Sequence, residues 1–278
     1  MQILIFGATG LLGRDLLRHW QGDSLTGLSS RDADLRDAKK MLEFTRAARP
    51  DWIVLAAAYT DVDGCETKQE VAFAVNRDGA ANVAMAAKEV GSRLIFLSSD
   101  YVFDGTKNSP YETGDARDPK TVYGRSKAEA EVRLQELQPD CCIVRTSWLF
   151  GTGGKCFPDT ILKLAAARPV LDVVNDQRGS PTYSVDLARA IVQLCRKNAA
   201  GIVHATNADD CTWYEFATEI VKQGGLPATV RPVSSEQMKR PAPRPAYSVL
   251  SPASLKRFDV EMPSWRDALL RYLKERNG

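Results

Sequence analysis

The chain has 278 residues, 44% of them hydrophobic and 26% charged, with a formal net charge of +2. That length and mixture fit an ordinary globular enzyme, either one generous domain or a cofactor domain with a smaller lobe, and exclude a disordered or fibrous chain. The near-neutral charge gives no field to gather nucleic acid or an anionic membrane, so the expected partners are small molecules held at a local site.

Short β-branched or apolar runs at 2–6, 24–28, 52–56, 93–98, 141–146 and 170–174 read as strands. Between them, 11–20, 38–48, 71–90 and 122–136 carry apolar residues three and four apart, the pattern of helices packed on a sheet. This alternation predicts an α/β fold, a Rossmann-type doubly wound parallel sheet. The longest apolar stretch, 52–59, is far short of the roughly 20 residues a membrane helix needs. With no signal peptide or anchor in view, a cytoplasmic protein is expected. Six cysteines lack any C-x-x-C pair and read as reduced thiols. With only His19 and His204 present, and neither at ligand spacing, no metal site is assigned.

After Thr146 the chain becomes loop-rich, at 151–154, 179–182 and the Pro/Arg stretch 239–245. A cofactor domain over 1–147 and about 180–207 is therefore expected, with a smaller C-terminal substrate lobe over about 148–179 and 208–278 at the carboxyl edge of the sheet.

The first strand runs into Gly7-Ala8-Thr9-Gly10-Leu11-Leu12-Gly13 and then a helix. Glycine allows a tight turn and close backbone approach to a pyrophosphate, which the helix N-terminus attracts. The spacing is Gly-x-x-Gly-x-x-Gly, so a plain strand-to-helix turn is the alternative. The second strand ends in Ser29-Ser30-Arg31 with no acid at its tip, which favours NADPH; Asp32 and Asp34 are close enough to leave NADH open. Ser30, Arg31, Asp34 and Leu35 are expected near the adenosine ribose, and the small residues of Ala56-Ala57-Ala58-Tyr59-Thr60 along the cofactor.

Tyr123 and Lys127 stand four apart, on one face of a helix. A free tyrosine titrates near pH ~10. A neighbouring lysine and a cationic nicotinamide favour its phenolate, and Lys127 can also hold the nicotinamide ribose. An exposed helical pair is the bland reading. Ser98-Ser99-Asp100, at the end of the fourth strand, adds a hydroxyl at the ligand-binding edge.

These motifs, with Asp61-Val62-Asp63, Val75-Asn76, Tyr101-Val102-Phe103-Asp104-Gly105, Pro110-Tyr111-Glu112, Arg145-Thr146-Ser147-Trp148 and 175–182, resemble the extended short-chain dehydrogenase/reductases, and more narrowly the dTDP-4-dehydrorhamnose reductase family, over nearly the whole length. The resemblance implies Ser99, Tyr123 and Lys127 as the catalytic set, a dTDP-sugar substrate and a monomer or homodimer. It places Ser99, Asp100, Tyr101, Val102, Phe103, Trp148 and Gln177 at the sugar, with Asp176 and the 240–244 region towards the nucleotide. Some family members use Mg²⁺ through acids at a dimer contact, but no such acids map here. Related dehydratases carry Asp-Glu after the strand-four hydroxyl, where this chain has Asp100-Tyr101, so reduction is expected. A nucleotide-sugar epimerase, or a non-catalytic subunit like the partner chain of methionine adenosyltransferase, are the rivals.

Overall fold

Strand β1 (Gln2–Phe6) buries four of its five residues, and past Gly7 the chain enters α1 (Leu11–His19), which turns Leu12 and Leu16 inward. The protein is described here by a computed structural model covering residues 1–277. Next come β2 (Ser24–Leu28), α2 (Ala38–Ala48) and β3 (Trp52–Leu55). Asp37 opens α2 by accepting the Lys40 N–H, and all four residues of β3 are buried, as in a strand covered on both faces.

The single helix expected at 71–90 is instead α3 (Val62–Thr67), α4 (Gln69–Phe73), a π-helical turn over Ala74–Asp78 and α5 (Gly79–Val90). Then follow β4 (Arg93–Ser99), a 3₁₀ turn over Asp100–Val102, α6 (Val122–Leu137) and β5 (Cys142–Thr146). The remaining elements are β6 (Leu149–Phe150), α7 (Phe157–Ala167), β7 (Val170–Val174), β8 (Arg178–Gly179), β9 (Thr182–Tyr183), α8 (Ser184–Arg196), β10 (Gly201–His204), β11 (Cys211–Thr212), α9 (Trp213–Gln223), β12 (Thr229–Val233), α10 (Ala253–Lys256) and α11 (Trp265–Asn277).

Six parallel strands form the main sheet in the order β2-β1-β3-β4-β5-β10. The order reverses at β1 and β3, whose carboxyl ends open the crevice in which such sheets bind ligand. Leu12, Leu16, Leu187 and Ile191 of α1 and α8 cover one face. Met41, Val83, Ala87 and Leu134 of α2, α5 and α6 cover the other. The expected sheet strand at 170–174 is a correction. It is a strand, but it pairs with β12 outside the sheet, and β10 takes the sixth place beside β5.

A separate apolar core gathers Phe150, Ile161, Leu171, Phe216, Ile220, Trp265 and Tyr272 from the loop-rich second half of the chain. Leu255, Val260 and Met262, from the stretch assigned to that lobe, pack against the main sheet instead. All six cysteines are buried free thiols. Cys142 of β5 and Cys195 of α8 lie in the core between the sheet and α8, Cys141 on the opposite face, Cys156 and Cys211 in the second core, and Cys65 against Tyr123. Among the described residues no helix is long and apolar enough to cross a membrane.

Candidate active site

Each glycine of the first turn has its own reason. Gly7 sits at φ +95°, and a Cβ on it would come within 2.6 Å of the Ala57 nitrogen, so the turn is pressed against the chain leaving β3. A Cβ on Gly13 would stand 2.1 Å from the Gly7 carbonyl oxygen, which shows how tightly α1 packs on the end of β1. Gly10 differs: a Cβ there would meet nothing nearer than 3.4 Å, so it leaves room above the turn. Gly10 caps α1 without a side-chain acceptor, leaving first-turn N–H groups and the positive helix end for a ligand. Open backbone of this kind fits a pyrophosphate. Thr9 is exposed and Leu11 half-buried, whereas Leu12, expected in the site, is packed in the core and offers only its backbone.

At the tip of β2, the Ser29 N–H and hydroxyl donate to Asp32 at 2.8 and 2.6 Å, and Arg36 forks onto Asp34 at 2.6 to 3.1 Å. Both acids are engaged. Ser30 and Arg31 are exposed, and the Arg31 guanidinium makes no hydrogen bond or ion pair among the described residues, although, after the Ser29 hydrogen bonds, its charge helps to hold the Asp32 carboxyl below its ordinary value. Of the expected cofactor contacts here, Asp34 pairs with Arg36 at the surface, and Leu35 is buried in the core and offers only its backbone.

Ala56, Ala57, Ala58 and Tyr59 leave β3 half-buried beside Gly7, with Thr60 exposed. The π turn supplies Asn76, which is buried. Asn76 accepts the Tyr59 N–H at 2.7 Å and donates to the Tyr59 carbonyl at 3.0 Å and to Ser126 Oγ at 2.9 Å. Ser126 Oγ in turn donates to the Tyr123 carbonyl at 2.7 Å. One amide thus ties the β3 loop to the helix bearing Tyr123. Residue spacing gave Asn76 no such role, because the π turn breaks the helical period that would have marked its face.

Strand β4 ends on Ser99, whose hydroxyl accepts the Tyr101 N–H at 3.2 Å and donates to Asp100 Oδ1 at 2.9 Å. Helix α6 starts after Thr121, which accepts the Gly124 N–H. A Cβ on Gly124 would stand 2.2 Å from the Tyr101 carbonyl oxygen, so only glycine lets the first turn of α6 close on the strand-four loop. A glycine inside a helical pattern was the available signal for this contact. The Tyr123 ring meets Tyr101 edge to face, centroids 5.6 Å apart, with its phenol in hydrogen-bonding reach of Ser99.

Burial pushes the Tyr123 phenol well above its ordinary value, against the pull of Ser99 and with the nearby Asp100 charge adding to the rise. The lowering expected from Lys127 is therefore not what the chain's own groups produce. Lys127 is 2% exposed, its Nζ 4.0 Å from the Phe96 ring centroid. Burial pulls it down to about 7, with the Glu131 charge opposing. Asp100, also buried, is pushed up to about 6 by desolvation, against hydrogen bonds that include one from Ser99.

The sugar-side expectations fare unevenly. The 3₁₀ turn rolls the Val102 and Phe103 side chains inward, where they pack with Tyr111, Ala128 and Leu250 and leave backbone to face the crevice. Trp148 is half-buried at φ +46°, its ring stacked 3.5 Å from Trp213 and pressed against Gly179. Gln177 is buried and donates to Ser235 Oγ at 2.7 Å, and Asp176 accepts from the same serine, which ties this loop to the segment after β12. The 240–247 segment is a strap fastened at Asp63, which accepts the Ala242 N–H at 3.2 Å and pairs with Arg244 at 3.0 Å and Arg240 at 3.5 Å. The strap continues past Gly105, where the Tyr247 N–H donates to the Gly105 carbonyl at 3.1 Å. Among the described residues no three His, Cys, Asp or Glu side chains converge as metal ligands.

Residues 1–277 match the family model described as the RmlD substrate binding domain. The spore coat polysaccharide biosynthesis protein SpsK of Bacillus subtilis is 39% identical over 100% of this chain and 98% of its own length. A dTDP-4-dehydrorhamnose reductase from Clostridium acetobutylicum superposes with a TM-score of 0.97 at 35% identity, covering 100% of both chains. The corresponding reductase from Bacillus anthracis, solved in complex with NADP, gives a TM-score of 0.95 at 35% identity over 98% of each chain. The glycine turn, the Ser99–Tyr123–Lys127 cluster and these full-length matches agree, and the chain belongs to the RmlD family of dTDP-4-dehydrorhamnose reductases, NAD(P)-dependent oxidoreductases with a Rossmann sheet.

Proposed function

We propose that the chain uses NADPH to reduce the C4 ketone of a dTDP-linked 4-keto-6-deoxy sugar, dTDP-4-dehydrorhamnose to dTDP-L-rhamnose, with Tyr123 as the proton donor. The observation that carries this reading is the meeting of Ser99, at the carboxyl end of β4, with a Tyr123 phenol that burial keeps protonated. A raised phenol is the right state for a reductase, whose donor must hold its proton until an alkoxide forms. When bound, the nicotinamide supplies the hydride to C4.

Tyr123 gives its proton to the nascent alkoxide. Ser99 has a single hydroxyl proton, now donated to Asp100, so it reaches a carbonyl by turning away from that carboxylate. Protonation of Asp100, which burial favours, weakens the competing acceptor. Lys127, one turn below Tyr123, is placed to hold the ribose and, when charged, to stabilise the phenolate left behind. Tyr101 occupies the position where a dehydratase would need Glu, so elimination has no base there. Binding of the dTDP portion supplies positioning.

NADPH over NADH is favoured by the exposed Arg31, whose guanidinium makes no hydrogen bond or ion pair among the described residues, beside two acids engaged elsewhere, and the relative in complex with NADP supports it. Substrate-dependent NADPH oxidation is expected to fall on the order of 10²–10⁴-fold in Tyr123→Phe. Undiminished turnover would remove Tyr123 as donor. Arg31→Ala is expected to bring the NADPH and NADH efficiencies together, and an unchanged ratio would remove Arg31 as the discriminator.

A further inference from the structure

Tyr123, Lys127 and Glu131 are spaced four apart and share one face of α6. The third member is unaccounted for by the chemistry above. Glu131 is 0% exposed, yet its carboxylate gathers donors from three other segments. Ser98 Oγ of β4 donates to Oε1 at 2.5 Å, and Arg145 of β5 donates through Nε at 2.9 Å and Nη2 at 2.6 Å. Arg117, from the loop before α6, donates from its half-exposed Nη1 at 3.2 Å. Ser98 and Arg145 are direct register partners across β4 and β5, so one carboxylate clamps both strands to the helix one residue before Ser99.

A buried ion pair is weak as a stabilising device, because packed apolar residues of the same volume serve as well or better. What apolar residues cannot do is place a negative charge one helical turn from Lys127. The groups facing the carboxylate are Ser98, Arg145 and Arg117, with Lys127 on its own helix. Behind Arg145 lies His204, whose Nε2 is 3.4 Å from Arg145 Nη1 and which burial and Arg145 hold neutral. Among the described residues, Glu131 is the anion whose charge acts on Lys127.

We propose that Glu131 is a positioning residue for the reaction: it keeps a negative charge beneath Lys127 and, through Ser98, fixes Ser99 against Tyr123. This rests on the roles just assigned to Ser99, Tyr123 and Lys127. Charge and clamp are separable. Glu131→Gln removes the charge and keeps the shape; Ser98→Ala removes the link to β4 and keeps the charge. Because Glu131→Gln strands Arg145, the double variant Glu131→Gln/Arg145→Gln, which leaves no buried arginine unpaired, is tested beside it.

Two readouts are needed, the Lys127 titration followed by NMR of ¹³C-labelled lysine and the pH profile of kcat/KM. Glu131→Gln is expected to lower the Lys127 midpoint by about one pH unit, the Coulomb effect of a partly compensated charge at one helical turn. The double variant should shift it in the same direction by less, and Glu131→Asp should restore it. The alkaline limb of kcat/KM moves with the midpoint. Ser98→Ala should lower kcat with KM and the lysine midpoint unchanged. An unmoved midpoint in both Glu131 variants overturns the proposal. A moved midpoint with an unmoved turnover profile supports the placement of the charge and sinks the role given to Lys127 instead.

Discussion

The two walls of the crevice are held by different means. On the β1 side the contacts are backbone against backbone: Gly7 against Ala57, and Gly13 against the Gly7 carbonyl, at distances that no side chain survives. On the strap side the contacts are side chains reaching across long stretches of sequence, with Asp63 gripping Arg240 and Arg244, Asp176 gripping Ser235, and Trp148 stacked on Trp213. A wall made of backbone has one geometry and suits a cofactor that every turnover shares. A wall made of partly exposed ion pairs can exchange partners at little cost, which suits the entry and release of a sugar nucleotide.

The sharpest way to break this contrast is Gly13→Ala. Its Cβ would overlap the Gly7 carbonyl, so α1 must move off β1, and a loss of about 1–3 kcal/mol in denaturant unfolding is expected. Gly10→Ala is the control on the same turn. With open space at that point it should change stability by less than about 0.5 kcal/mol while weakening NADPH binding in a fluorescence titration. Equal destabilisation by the two would remove the distinction between a packing glycine and an access glycine.

Acid separates the walls next. His204, at the end of β10, is held down to about 3 from an ordinary 6.5. The unfolded chain therefore binds more protons there, and stability is lost as pH falls from about 6.5 towards 3. Asp63 is held below its ordinary 3.8, so its share persists until pH falls beneath that value. Asp100, raised to about 6, gives the opposite slope, its cost relieved as pH falls from 6 to 3.8. Thermal melts of His204→Gln should thus lose the decline below pH 6.5, and a wild-type-like decline would refute the assignment. The smallest effect is expected at Asp63→Asn. The pair is partly exposed and worth at most about 1 kcal/mol, so the melting temperature should hardly move while KM for the nucleotide sugar changes severalfold.

The same contrast governs what could be read in advance. Gly7, Gly10 and Gly13 were legible because a backbone contact imprints itself as glycine spacing, and Tyr123 and Lys127 because a helix converts spacing into a shared face. The strand at 170–174 was legible as a strand, but its partner, β12, lies more than 50 residues on, and nothing local tells it from a sheet strand. The true sixth strand is only four residues long and opens on a glycine at φ +77°. Val102 and Phe103 come three and four residues after Ser99, and the 3₁₀ turn that sends their side chains into the core leaves no mark in the sequence. Nothing local in the sequence marks Glu131, because its partners come from three other segments.

The buried cysteines give this molecule a built-in set of clocks. None is accessible in the folded state, and burial holds Cys65, Cys141, Cys142, Cys195 and Cys211 as unreactive thiols. Each therefore reacts with a thiol reagent only when its own layer opens. Labelling of Cys211 times the opening of the substrate side, Cys142 and Cys195 that of the main sheet, and Cys65 the loosening of the floor under Tyr123. Ligands that close the crevice would slow the first and last of these before they touch the second.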